Sequence, residues 1–173
     1  MLEHLRTFAL YNRWANARIY AAALGMPEEA YRRETGVFFR SLHGTLNHIL
    51  AADRIWLKRL TGKGDAPTRV DAELYVDRAA LAKARIAEDA RVIAVVEGYD
   101  AAGLAASFSY ATTSGVPQEG TVSSVLAHMF NHQTHHRGQA HACCSIVTGA
   151  EPPALDLMAF QRGLPAPDLA ALL

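Results

Sequence analysis

Cysteine is nearly missing from this 173-residue chain. The two present, Cys143 and Cys144, are neighbours. On a helix, adjacent residues point about 100° apart and make poor disulfide partners. A disulfide-stapled secreted scaffold is therefore excluded. No run of about 18 uninterrupted apolar residues occurs, which excludes a membrane-spanning helix. A surplus of one charge is also lacking, since 17 Lys and Arg balance 17 Asp and Glu. Without a diffuse positive field, neither nucleic acid nor an anionic membrane is an expected partner. The opening residues MLEHLRTFALYNRW carry charged and polar groups at short intervals in place of an apolar leader, so a cytoplasmic location is expected.

Proline is scarce and confined to positions 27, 67, 117, 152, 153, 165 and 167, where it punctuates. Between these breaks lie long segments rich in alanine, 32 residues in all, the best intrinsic helix former. The pattern predicts four long helices over about Leu2–Leu24, Ser41–Leu60, Asp71–Glu97 and Thr121–Val147. Ser41 is the expected N-cap of the second, and Gly98 the C-cap of the third. Rods of about 30 to 42 Å at 1.5 Å per residue pack most economically as a bundle. One all-α four-helix domain over residues 1–173 is expected. The segment LAASFSYATTSGVPQEGT reads as a loop with a short hairpin, Phe108–Tyr110 against a strand near Val116. A short helix is expected around Asp156–Arg162.

Five of the eight histidines fall within fourteen residues: His128, His132, His135, His136 and His141. Projected at 100° per residue, Val122, Val125, Leu126, Met129, Ala140, Cys143 and Val147 form one apolar stripe. His132 and His136 lie in it or at its edge, one turn apart, whereas the other three fall outside. Imidazoles at i and i+4 can address one metal ion. Two buried neutral histidines bonded to core partners remain the alternative. The run His132-Gln133-Thr134-His135-His136 is not the His-Glu-x-x-His of helical zinc proteases, because Gln133 cannot act as a base. The paired Glu-x-x-His motifs of a di-iron bundle are lacking as well.

In the second segment Asp53 projects into the middle of the apolar stripe and His48 onto its edge. A buried Asp53 requires a cation or several donors, and Arg137 is the expected partner; the alternative is that Asp53 reaches solvent. Asn12 and Asn16 lie on the inward face of the first segment and are candidates for a pocket or for support of a site, with bonds to helix termini or buried water as the equal alternative. Cys143 lies about 10 Å along the axis from His136, too far to share a ligand set with it, and reads as a small buried filler.

The run AHMFNHQTHHRGQ at residues 127–139, with LNHILAADRIWLKRL upstream and ALYNRWANARIY near the N-terminus, resembles the DinB-like family, part of the DinB/YfiT-like superfamily of metalloenzymes. The resemblance implies an up-down-down-up four-helix bundle, commonly a homodimer. It also implies a divalent metal held by His48, His132 and His136. Only the resemblance selects His48 over His43 and His128. Zinc and nickel both suit three imidazoles. Three ligands leave a coordination position open, as catalytic sites require. The resemblance further implies a low-molecular-weight thiol as cosubstrate (bacillithiol, mycothiol or glutathione), or attack by water, on a small-molecule electrophile. A non-catalytic metal-binding stress protein and a dimeric interaction module are the competing readings.

Overall fold

The computed structural model describes residues 1–173. Seven helices and one hairpin follow in order: α1 (Leu2–Leu24), α2 (Glu28–Arg32), α3 (Leu42–Thr61), α4 (Arg78–Glu97), α5 (Ala101–Ala105), β1 (Ser107–Ala111), β2 (Pro117–Thr121), α6 (Val122–Thr148) and α7 (Leu157–Gln161). A 3-10 turn at Ala170–Leu172 closes the chain. Three of the long helices match the expected bounds within a residue. Their ends are set by local chemistry. The Ser41 side chain accepts from Gly44 N at the start of α3, which stops at Gly62 in the left-handed conformation. Thr121 and Ser124 form a capping box at the start of α6, and left-handed Gly149 ends it.

The third long helix begins seven residues later than the alanine pattern predicts, at Arg78, with Asp77 capping Ala80 N. The cause lies in α3. Asn47 accepts from Tyr75 N and donates to Tyr75 O, while His48 bonds the Val70 carbonyl. Backbone groups that a longer α4 would use internally are committed to side chains of another helix. The hairpin is antiparallel and pairs Phe108 with Gly120 and Tyr110 with Gln118. Its second strand starts just past Val116.

The four long helices form a closed ring of contacts. α1 packs on α4 and α6, and α3 packs on the same two. One apolar cluster, around Ile19, Leu46, Ile49, Leu81 and Cys143, fills one portion of the bundle. A second, around Leu5, Leu57, Val92, Leu126 and Phe130, fills another. Both cysteines are buried and unpaired. No helix is long and apolar enough to cross a membrane.

A buried polar ring is built from all four helices. Arg85 Nη1 donates to Asp53 Oδ2 at 2.5 Å, and Arg85 Nη2 lies 3.1 Å from Asp89 Oδ1. Asp89 Oδ1 accepts from Asn16 Nδ2 at 2.9 Å and more weakly from Asn12 Nδ2. The oxygens of both asparagines accept from Arg137 Nη1, as does Gln133 Oε1. Gln133 Nε2 donates back to Asp53 Oδ2 and closes the circuit. The two aspartates cancel the two arginines, so the ring carries no net charge. Burial raises the Asp53 carboxyl to about 6 against the pull of Arg85. Burial also opposes the charge on Arg85, but Asp89 and Asp53 outweigh it and hold the guanidinium charged.

This arrangement corrects the expected Asp53–Arg137 pair. Asp53 meets α6 through the neutral Gln133 amide and takes its cation from α4. Arg137, one turn beyond Gln133, turns to the α1 amides. The buried face of α6 contains Gln133 and Arg137 at its centre together with Leu126, Ala140 and Cys144, so it is rotated from the apolar stripe. That rotation moves His132 and His136 to its border.

Candidate metal centre

His48, His132 and His136 come together between α3 and α6, with one ligand atom from each within 4.8 Å of the others. Helical spacing brings His132 and His136 together, their ring centroids 4.3 Å apart. His48 reaches them from the facing helix, with its Nε2 3.2 Å from His132 Nε2. Two nitrogens held about 2.0 Å from a tetrahedral ion lie about 3.3 Å apart, so this separation suits a shared ligand position.

Tautomers are set from behind. His48 Nδ1 donates to Val70 O at 2.7 Å, and His136 Nδ1 donates to Gln139 Oε1 at 2.8 Å. Each bond leaves Nε2 as the free acceptor aimed at its neighbours. Gln139 is itself held by His135, whose Nε2 lies 3.3 Å from the amide nitrogen.

All three imidazoles are kept neutral, the form that ligates. His48 is lowered to about 4, mainly by burial, against the bond to Val70 and with like-charge repulsion from His136. Burial first and then His136 and His48 push His132 to about 3. His136 is lowered by burial, with Gln139 opposing.

The depth of His48 has a source outside its own helix. Phe39, in the segment before α3, stacks on the His48 ring at 3.7 Å between centroids and 14° between planes. That segment passes so close to α3 that a Cβ on Gly44 would fall onto the Phe39 carbonyl. Arg40 adopts a positive φ of 71° beside it. With Phe39 above and the Val70 carbonyl behind, an edge histidine becomes 4 % exposed.

His128 and His135 are exposed and His141 half-buried. His43 is occupied elsewhere, between the Tyr31 hydroxyl and the Glu73 carboxylate. Asn12, Asn16, Asp53 and Arg137 belong to the polar ring and none of them bonds a site histidine. Sequence reasoning missed Arg85, Asp89 and Gln133. Arg85 and Asp89 lie four apart among Leu81, Val92 and Val96 on the buried face of α4, a charged i, i+4 pair within an apolar stripe that could have marked them.

A helical bundle with three convergent neutral imidazoles defines the class of protein: a helical protein able to hold a metal. Comparison with known proteins narrows this. The DinB family model matches residues 1–167, and the chain belongs to the DinB family. It is 28 % identical over 138 residues to "Protein DinB" of Bacillus subtilis (strain 168), covering 76 % of this chain and 79 % of that protein.

Proposed function

We propose that this protein is a divalent-metal-dependent enzyme acting on a small molecule, with His48, His132 and His136 as ligands and with thiol transfer, or hydrolysis, as the reaction. The convergence of three neutral imidazoles, two of them with Nε2 freed by a bond to Nδ1, carries the reading. An all-nitrogen donor set of this kind fits zinc or nickel. Such an ion, bound with a position open, supplies Lewis acidity that favours the anionic form of a thiol or of water.

The chain's own residues supply the rest. Val70 O and Gln139 Oε1 fix the tautomers and the ring planes, Phe39 shields His48 from solvent, and the neutral polar ring holds α3 and α6 in register. An up-down-down-up course belongs to the same proposal. A segment of the length of residues 62–77 can span more than the roughly 30 Å length of α3, enough to return the chain before α4.

Metal content per chain, measured by mass spectrometry on untagged wild type, His48→Ala and His132→Ala, tests the ligand set. About one zinc or nickel ion per wild-type chain, lost in both variants, is expected. A wild type that stays empty after incubation with both ions overturns the proposal. With metal established, loss of thiol from solution in the presence of electrophiles reads the reaction, and its absence removes the transfer assignment.

A further inference from the structure

Beside the metal centre, the groove between α3 and α6 continues toward the hairpin as a cleft of about 250 Å³ that His132 borders. On α3 its wall is the face that also carries His48: Ala52, Ile55, Trp56 and Arg59 follow at helical spacing. His128 lines it from α6, Tyr110 from β1, and Val70, Thr112 and Thr113 from the adjoining loops. The Trp56 ring meets Tyr110 and His128 edge-on, each at 5.1 Å.

Arg59 is the anomaly in this cleft. Its guanidinium lies 4.6 Å from the Trp56 ring centroid and 5.3 Å from that of Tyr110. It makes no hydrogen bond and no ion pair. Arg54, Arg78 and Arg91, also half-buried, each have a carboxylate within 4 Å, and half-buried Arg18, which lacks one, donates to two backbone carbonyls. Burial lowers the Arg59 pKa, and no carboxylate offsets it. A planar five-donor cation that is partly shielded from water and has no counter-ion is poised for an anion, which it can engage with two parallel bonds.

We propose that this cleft binds a small molecule with an apolar body and a carboxylate, the carboxylate on Arg59 and the reacting end toward His132. About 16 Å of helix rise separates Arg59 from His48, so the anion and the reacting atom lie at opposite ends of one ligand. As a statement about substrate class this rests on the metal-enzyme reading. The carboxylate selectivity itself needs no metal.

The test is calorimetric titration of metal-stripped protein with phenylbutyrate and, separately, with its uncharged amide. Wild type is expected to bind the carboxylate about tenfold more tightly than the amide, the range of a charge-assisted hydrogen bond. Arg59→Met should abolish that preference while binding the amide as wild type does, which also shows an intact cleft. Equal affinity for the two probes in wild type, a preference that survives in Arg59→Met, or no binding of either probe overturns the inference. Metal content separates the two readings. A wild type that takes up neither zinc nor nickel yet discriminates the probes ends the enzyme proposal and leaves the anion site, and a wild type that takes up the ion but binds the two probes equally does the reverse.

Discussion

Removing Asp53 should be among the most damaging single changes to this bundle. In Asp53→Ala, Arg85 keeps only Asp89 as a counter-charge, at 3.1 Å, and Gln133 Nε2 loses its acceptor in a wholly buried place. Breaking a buried ion pair by deleting one partner costs about 3 to 5 kcal/mol. The lost amide acceptor falls within the same range rather than adding to it, because both donors share one oxygen, Asp53 Oδ2. For a chain of this length each kcal/mol lowers the melting temperature by about 2 to 4 °C, so a fall of about 6 to 20 °C is expected. The assay is thermal and urea unfolding of metal-free protein, which removes stabilisation by bound ion. Arg137→Met provides the contrast: it strips both α1 amides of their donor but leaves Asp53 paired with Arg85. In a double-mutant cycle, Asp53→Ala should couple with Arg85→Met more strongly than with Arg137→Met. The ring is imperfectly satisfied, with Asp53 Oδ1 and Arg85 Nε unpartnered, so the Asp53→Ala, Arg85→Met double variant should recover part of the loss. A loss below about 1 kcal/mol for Asp53→Ala, or stronger coupling to Arg137, refutes this account.

Gln139→Leu removes the acceptor behind His136 while leaving all three ligands in place, and zinc affinity should fall about 10- to 100-fold with melting of the metal-free protein unchanged. Competition with a chromophoric chelator measures it, and unaltered affinity would dismiss Gln139 as an orienting group. Acid should destabilise the metal-free protein through His48 and His132. Their folded values of about 4 and about 3 lie below the ordinary 6.5, so the unfolded chain takes up protons first as pH falls. Their contribution is complete above about pH 6.5 and is lost between there and about pH 3. The melting temperature should drop across this window less steeply in His48→Ala, His132→Ala than in wild type, and equal slopes would contradict the assignment.

Helix content, three of four long-helix spans, the hairpin and the burial of Asn12, Asn16, Asp53 and Cys143 were legible in one dimension, because propensity, caps and periodicity act within a few residues of themselves. The i, i+4 pairing of His132 and His136 was legible for the same reason. His48 was not, since its own helix leaves it at the edge of the stripe. It is buried by Phe39, nine residues upstream in one loop, and tied to Val70, 22 residues downstream in another, both beyond the reach of its own helical periodicity. The partner of Asp53 was likewise a tertiary decision. Two arginines lay on helices able to face it, and only the packing of α4 against α3 put Arg85 there while Arg137 turned to α1. The start of α4 followed the same logic, as Asn47 and His48 drew the backbone of residues 70–75 away from helix. Local chemistry determined which elements form and which side chains turn inward. Which inward polar groups meet depends on helix rotation and loop path, and those are settled only when the whole core packs.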